Sequence, residues 1–384
     1  MNSLVNGATS GATSGATSGA TPSAAPARRA DLDWLRVLAV LLLVPFHAAL
    51  IFVLSPYAVM YVKDTVGSSF LDIFAGWIHQ FHMPVLFYVA GASSFFALKK
   101  RTGSQYVKER FFKLLIPAVA GIALLIPPMT YITRISQGVP MSFWEHYRNF
   151  WHFNPADLNG LSGCFTPAHL WFLVYLFLFS LICLPLFKCM NGKKAQIGLR
   201  VVIDKVGTLT VMTVLFVVLA LVAKTNLLGS INPIYYILIF FTGYLFVSDE
   251  RFQKTIDRGS LYFLVAGLVF EGVRHFLLYD IYQLTQSDWV VLFFEQMNRW
   301  LWLLAILGLG HRFLQKNNKL LAYLSASSFP FYIFHLLVTT LVGFYVIRID
   351  ACIGVKYVLI VLGSTAATFG VYEVVKRIHI LRNK

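Results

Sequence analysis

The stretch that decides the fold is Asp31-Leu-Asp-Trp-Leu-Arg-Val-Leu-Ala-Val-Leu-Leu-Leu-Val-Pro-Phe-His47. Its Arg36 and His47 are eleven positions apart, about three turns of an α-helix, so both side chains are predicted to lie on one helix face. At about 1.5 Å per residue they are about 16 Å apart along the axis, around half the thickness of a bilayer's hydrocarbon core. The stretch therefore predicts a membrane-spanning helix with a cation near one end of that face and a proton-carrying group near the other.

The composition indicates a membrane protein with many spans. Hydrophobic residues make up 58% of the 384 residues, charged residues make up 13%, and the mean hydropathy is +0.68. An ordinary soluble domain has about 25% charged residues, so that class is excluded. No metal site or disulfide is predicted, because the four cysteines have no metal-ligand spacing and lie in or beside apolar runs. They are Cys164, Cys183, Cys189 and Cys352.

Ten apolar segments are each near the length that crosses a bilayer. They lie at about 33–54, 70–98, 112–133, 167–187, 206–224, 231–248, 259–279, 287–310, 325–347 and 354–375. Lys and Arg concentrate in alternate connections, which by the positive-inside rule predicts an even number of helices with both termini in the cytoplasm. The predicted fold is an all-α polytopic protein with about ten transmembrane helices. The net charge of +15 then follows from topology, and no nucleic-acid partner is predicted.

The chain is predicted to have two parts. Residues 1–29 form a disordered N-terminal tail, because a Gly-Ala-Thr-Ser repeat and a short Pro- and Ala-containing segment cannot build a core. Residues 30–384 form the transmembrane domain. The connection 134–167 is rich in Trp, Tyr and His, which suits either a cap that contacts a sugar or an interfacial aromatic belt.

Ionisable side chains inside the predicted spans are candidates for function, because each costs about 2.5–3.5 kcal/mol to place in hydrocarbon. A single buried histidine is more often a hydrogen-bonded core residue than a catalyst. Glu271 with Arg274, and Glu295 with Arg299, also have the spacing of ion pairs within one helix. Four such charges in consecutive helices nevertheless favour a hydrated internal cavity. The candidates are His47, His79, His82, Glu271, Arg274, His275, Glu295, Arg299, His335 and Glu373.

The first predicted cytoplasmic connection, residues 99–113, is strongly basic. One interpretation is anchoring at the membrane surface through contacts with anionic lipid. The other is a phosphate-binding site, in which Arg110 and Lys113 lie one helical turn apart below the third span.

Six motifs along the chain are Leu32 to His47, His79-Gln-Phe-His-Met-Pro-Val-Leu-Phe-Tyr-Val-Ala-Gly91, Arg110-Phe-Phe-Lys-Leu-Leu-Ile-Pro117, His169-Leu-Trp-Phe-Leu173, Ser325-Ala-Ser-Ser-Phe-Pro-Phe-Tyr-Ile-Phe-His335 and Tyr372-Glu373. In this order they resemble the motifs of the family-3 membrane acyltransferases. The last three resemble the branch that modifies glucans, which includes periplasmic glucan succinyltransferases. The resemblance covers about residues 30–380. Many sugar O-acyltransferases of the family carry a glutamate shortly after the tryptophan that corresponds to Trp171. Here Val174 and the residues after it include none, which favours the glucan branch.

The resemblance implies that acyl-CoA in the cytoplasm donates its acyl group to a carbohydrate hydroxyl on the far side of a bacterial inner membrane. Acyl-CoA is then a co-substrate, and no cofactor or metal is implied. His47 is implied as the general base, with an acyl-histidine intermediate as the competing chemistry. His82 or His335 orients His47, stabilises the oxyanion or shares the proton transfer.

The remaining candidates divide between the donor and the acceptor. Arg36, Arg110 and Lys113 suit the phosphates of the donor, and Asp33 is the expected ion-pair partner of Arg36. The acceptor cavity is predicted to include His169, Trp171, Glu271, Arg274, Glu295 and Arg299. A proton-coupled transporter or exporter, in which buried His and Glu groups relay protons, is the alternative function. The identity of the acyl group stays open, and no oligomeric state is predicted.

Overall fold

A computed structural model describes residues 29–55, 60–225 and 227–382. The predicted tail therefore lies outside the described residues, apart from Arg29. Within the described part the protein is helical throughout, without β-strands, and a π-helical turn at Phe111–Leu115 joins α4 to α5. The helices are α1 Ala30–Leu41, α2 Leu43–Leu50, α3 Ser69–Lys100, α4 Gly103–Arg110, α5 Ile116–Leu124, α6 Ile126–Ser136, α7 Phe143–Phe150, α8 Trp171–Ile182, α9 Leu184–Met190, α10 Lys193–Val206, α11 Thr208–Lys224, α12 Pro233–Ser248, α13 Glu250–Phe276, α14 Leu278–Thr285, α15 Asp288–Phe313, α16 Lys319–Val346 and α17 Ile353–Arg382.

Six helical stretches in the described residues are long and apolar enough to cross a membrane, and the number rises to nine if each of three bent helix pairs is one span. The bends are 51° between α8 and α9, 98° between α10 and α11, and 68° between α13 and α14. The all-α, multi-pass prediction is confirmed. The predicted count of ten is not confirmed, because α12 has only 16 residues and three of the other spans would be bent helix pairs.

The first predicted span is a single candidate membrane span, Ala30–Leu50, with an irregular turn at Leu42. α1 ends at Leu41 and α2 begins at Leu43. The break is explained by Pro45, which has no N–H to donate to the carbonyl of Leu41. Both halves run along α16, so the two helices and α16 together form one seam through the bundle.

Glycines allow α3 and α12 to pack with their backbones in contact. A Cβ atom at Gly91 would lie 1.8 Å from the carbonyl oxygen of Phe240, and one at Gly243 would lie 2.0 Å from that of Tyr88. Small residues of this kind permit close approach of membrane helices, where van der Waals packing replaces the hydrophobic effect. The tight contact fixes α3, and hence its His79 and His82, within the bundle.

Candidate functional site

The seam between α1, α2 and α16 holds both polar residues of the opening stretch. At one end, Arg36 donates a hydrogen bond from Nη2 to Oγ of Ser325, 2.6 Å away, and pairs with Asp33 at 3.0 Å. At the other end, the ring of His47 lies 5.3 Å from that of His335, centroid to centroid. Arg36 and His47 thus both face α16, as one helix face predicts. Ser325 and His335 are ten positions apart, about 15 Å along α16.

Three histidines from separate parts of the chain meet at the far end of this seam, and we call them the histidine cluster: His47, His169 and His335. The ring of His335 lies between the other two, 5.3 Å from His47 and 5.0 Å from His169. The side chain of His335 is completely buried. The sequence analysis assigned His169 to the acceptor cavity, whereas the structure places it against a candidate catalytic histidine.

Two of these histidines have their tautomer set by a backbone carbonyl. Nδ1 of His335 donates to the carbonyl oxygen of Tyr332 at 2.6 Å, and Nε2 of His169 donates to that of Ile333 at 3.0 Å. The opposite nitrogens, Nε2 of His335 and Nδ1 of His169, are buried and have no hydrogen-bond partner within the described residues, and the same holds for Nδ1 of His47. In neutral imidazole the nitrogen opposite the donor carries a lone pair. Nε2 of His335 and Nδ1 of His169 are therefore two buried acceptors that can bind an O–H or N–H donor.

The backbone that presents His169 is unusual. Ala168 has a φ of +43°, a left-handed conformation that residues other than glycine rarely adopt. A short 3-10 turn from Ala168 to Leu170 then leads into α8. The hydroxyl of Tyr332 donates to the carbonyl oxygen of His169, so α16 holds both the ring and the backbone of this residue. Strained backbone held by its surroundings is typical of functional sites.

His82 lies near the cluster but packs differently. Its Nδ1 donates to the carbonyl oxygen of Ile78 at 3.0 Å, and its ring lies 4.7 Å from that of Phe46. In the described residues, no ring contact or hydrogen bond joins His82 directly to His47 or His335. The structure therefore brings His47 and His335, two of the three candidate catalytic histidines, into contact. The third, His82, packs against Phe46 instead.

The predicted donor residues of the basic connection have different partners. Arg110 donates from Nη2 to Oγ of Ser94 at 3.2 Å and lies over the ring of Tyr106. Lys113 instead pairs with Glu109 at 2.7 Å, and 72% of its side chain is exposed. Arg110 thus turns toward α3, whereas Lys113 remains at the surface with its charge balanced.

A second polar group, which we call the charged cluster, joins α13 to α15: Glu271, Arg274, His275 and Asn298. Oε1 of Glu271 lies 2.6 Å from Nη2 of Arg274 and 2.8 Å from Nε2 of His275. Its Oε2 accepts a hydrogen bond from Nδ2 of Asn298 at 2.5 Å. The guanidinium of Arg274 also lies against Gly76 of α3, where a Cβ would come within 3.1 Å of it. The helical spacing predicted the Glu271–Arg274 pair, and the pair is confirmed.

The other predicted pair does not form. Arg299 donates from Nε to Oε1 of Gln80 on α3 at 3.0 Å, and no carboxylate in the described residues, including Glu295, lies within ion-pair distance of it. Trp171 belongs to a neighbouring aromatic group, with its ring 5.9 Å from Phe87 and 5.4 Å from Tyr236. The candidates for the acceptor cavity therefore divide among the histidine cluster, the charged cluster and this aromatic group.

Two buried amides were missed by the sequence analysis. Gln80 and Asn298 are the partners of Arg299 and Glu271, and they are 4% and 0% exposed. The search considered only ionisable groups, although a neutral amide within an apolar span is a similar signal, because its polar atoms also need partners. Among the residues that the structure describes, no three His, Cys, Asp or Glu side chains are arranged to hold a metal ion, and all four cysteines are free.

Most of the described bundle corresponds to one known domain. The model of the acyltransferase 3 family, described as an acyltransferase domain, matches residues 29–372. The chain therefore belongs to this family and is a multi-pass membrane acyltransferase. The family that the six motifs predicted is confirmed.

Similar individual proteins carry the name glucans biosynthesis protein C. Those of Shigella dysenteriae serotype 1 (strain Sd197), Escherichia coli O81 (strain ED1a) and Escherichia coli (strain K12) are each 24% identical over 342 residues. The alignment covers 83% of this chain and 84% of each relative. No solved structure matches the chain.

Proposed function

We propose that the protein transfers an acyl group from cytoplasmic acyl-CoA to a hydroxyl of an extracytoplasmic carbohydrate, with the histidine cluster as the reaction centre. The observation that carries this proposal is the set of buried nitrogens without partners on His47, His169 and His335. A buried polar atom without a partner is costly, and a substrate hydroxyl is a donor that would satisfy it. The name of the relatives supports a glucan as the carbohydrate.

His47 is the proposed general base. Nδ1 of His47 takes the proton of the acceptor hydroxyl while the oxygen forms a bond to the thioester carbonyl carbon. The carbon–sulfur bond then breaks, the proton passes to sulfur, and coenzyme A leaves as the thiol. His335, whose tautomer is held by the carbonyl of Tyr332, orients His47 or accepts a hydrogen bond from the acceptor. An acyl group carried on the His47 ring is the competing chemistry.

The donor is proposed to enter at the Arg36 end of the seam. Arg36 is 38% exposed and donates to a neutral hydroxyl on Ser325, so its guanidinium is accessible to a phosphate despite its pair with Asp33. Arg110 is the second proposed phosphate contact. Lys113, which is exposed and paired with Glu109, is a weaker one. The length of the seam, about 15 Å, suits an extended thioester arm that ends near His47.

The proposed setting is a bacterial inner membrane with both termini in the cytoplasm. This orientation places Arg36 on the donor side and the ends of α2 and α16 on the acceptor side. The clustering of Lys and Arg in alternate connections supports it.

The test is a transfer assay with the purified protein in vesicles, acyl-CoA and a glucan. We expect release of the coenzyme A thiol together with a glucan whose mass increases by the acyl group. A reaction that depends on the glucan supports the proposal. Uptake of a solute driven by a proton gradient, with no consumption of thioester, would establish the transporter alternative instead.

A further inference from the structure

A cavity, which we call the outer pocket, opens beside the segment 60–65 and the ends of α6 and α16. Its volume is about 640 Å³, within the range of about 300–1,000 Å³ that is usual for small-ligand sites. It shares no residue with the histidine cluster or the charged cluster. The residues that matter to its chemistry are Tyr61, Lys63, Thr65, Ser136, Gln137 and Arg348.

The wall formed by residues 60–65 is fixed to the segment that directly follows α2, the helix that carries His47. The backbone N–H of Asp64 donates to the carbonyl oxygen of Ile51 at 3.0 Å, and Nζ of Lys63 donates to that of Val53 at 3.3 Å. Asp64 also pairs with Lys356 at 2.9 Å, and both side chains are largely buried. Burial alone would raise the pKa of Asp64, but the hydrogen bond and charge of Lys356 hold it below its usual value. The carboxylate therefore stays charged, and the wall is pre-organised.

The lining suits a carbohydrate. Its polar groups are the hydroxyls of Thr65 and Ser136 and the amide of Gln137, beside apolar Leu161 and the largely buried Tyr61. Each hydroxyl already donates within the protein and keeps lone pairs that can accept from a ligand, whereas the phenol of Tyr61 donates to the carbonyl oxygen of Asn159. A sugar has the matching surface, with hydroxyl groups that both donate and accept hydrogen bonds around apolar C–H faces. Lys63 and Arg348 have further N–H groups, although Nζ of Lys63 already donates to the carbonyl oxygens of Val53 and Ser55 and Nη1 of Arg348 to that of Phe344.

The position of the outer pocket links it to the reaction centre. Ile347 in its lining is twelve residues beyond His335, about 18 Å along the direction of α16. Ile51, to which the wall is bonded, is four residues beyond His47. A single sugar at the histidine cluster does not span the distance to Ile347, whereas a chain of linked sugars does.

We infer that the outer pocket is a saccharide-binding subsite that holds a distal part of the acceptor chain while another sugar is acylated. The inference rests on the proposed function for the reaction and its carbohydrate acceptor. The inference adds a second site at which the acceptor is recognised. Such a subsite makes the protein prefer long acceptors over short ones. The gain arises because the second contact is made within one bound chain.

The test compares a variant that fills the pocket with the same substitution elsewhere. Thr65→Trp puts a bulky ring at an exposed position of the lining, and Thr285→Trp does the same at an exposed position outside it. Arg348→Ala is a second variant that removes a donor without adding bulk. Binding of glucose and of linear gluco-oligosaccharides of increasing length is measured by calorimetry without acyl donor, and the KM for each is measured with acyl-CoA.

In the wild type and Thr285→Trp, affinity is expected to rise with chain length. In Thr65→Trp and Arg348→Ala the KM for long acceptors should increase roughly tenfold or more, the loss of about 1.4 kcal/mol of binding, with little change for short ones. Length dependence that both pocket variants retain would overturn the inference and leave the proposed function intact. Length-dependent saccharide binding that requires the pocket, in a wild type that transfers no acyl group, would support the subsite and refute the proposed function.

Discussion

The histidine cluster and the charged cluster are two solutions to the problem of placing polar side chains inside an apolar bundle. In the charged cluster, both carboxylate oxygens of Glu271 have close partners, and the charge is balanced by Arg274. In the histidine cluster, each of the three rings keeps a buried nitrogen without a partner. Oδ1 of Asn298 in the charged cluster also has no partner in the described residues, so the contrast concerns the ionisable groups. Those of the charged cluster are bonded to one another, whereas those of the histidine cluster keep open acceptors that a ligand can fill. The comparison favours a structural role for the charged cluster and a catalytic role for the histidine cluster.

Apart from the loss of the base itself, the largest expected effect is that of His335→Ala on transfer. Removal of the central ring takes away a group that orients or shares the proton, so we expect the rate to fall by about 10²- to 10⁴-fold. The rate of coenzyme A release in vesicles measures this. His79→Ala is the matched control, because His79 is a nearby histidine on α3 outside the cluster, and it should lose less than about tenfold. Equal losses in the two variants would contradict the special role of His335.

Glu271→Ala should act on stability. It leaves the guanidinium of Arg274 without its carboxylate in a largely buried position, which costs about 3–5 kcal/mol when one partner of a buried pair is removed. The melting temperature in detergent should fall accordingly. The double variant Glu271→Met with Arg274→Met removes both charges and should recover much of the loss. A double variant no more stable than the single one would show that the charge imbalance is not the cause.

Arg36→Ala should weaken the binding of the acyl-CoA donor. Loss of a hydrogen bond to a charged group costs about 1.5–3 kcal/mol, so the KM for acyl-CoA is expected to rise by about ten- to a hundredfold. Lys113→Ala is the contrasting variant, and its effect should be small because the side chain is exposed and already paired. Titration with acyl-CoA at fixed acceptor measures both values. An unchanged KM for acyl-CoA in Arg36→Ala would contradict a contact between Arg36 and the phosphates of the donor.

The smallest expected effect concerns a buried histidine outside the spans. Burial lowers the pKa of His146, which is bonded to Thr130, so the folded state resists its protonation. Its contribution to stability is therefore present above the unfolded pKa of about 6.5 and is lost as the pH falls below it. Hydrogen exchange of α7 should become faster between pH 7 and pH 5. The exposed His152, changed to Ala, should leave this pH dependence unaltered, whereas His146→Phe should remove it.

The sequence predicted contacts that are local in the chain. The Asp33–Arg36 and Glu271–Arg274 pairs follow from spacing of three along a helix, and both form. The common face of Arg36 and His47 was also predicted, although the break at Leu42 was not, because the effect of Pro45 on a long apolar run depends on what packs around it.

The contacts between distant segments could not be predicted in this way. His169 reaches His335 through a left-handed Ala168 and hydrogen bonds to the backbone of α16, neither of which leaves a periodic pattern. Arg299 has the spacing to pair with Glu295, yet it bonds to Gln80 on another helix. Whether a side chain bonds to a partner on its own helix or on another helix depends on how the helices pack. The spacing of residues along one helix does not reveal that packing.

The measurement that tests the central claim most directly is the transfer rate of His47→Ala, at matched amounts of folded protein in vesicles and with saturating acyl-CoA. If the histidine cluster is the reaction centre, coenzyme A release and glucan acylation should both fall by about 10²-fold or more, while the melting temperature and the KM for acyl-CoA stay close to those of the wild type. Transfer near the wild-type rate would contradict the claim and exclude His47 as base or nucleophile.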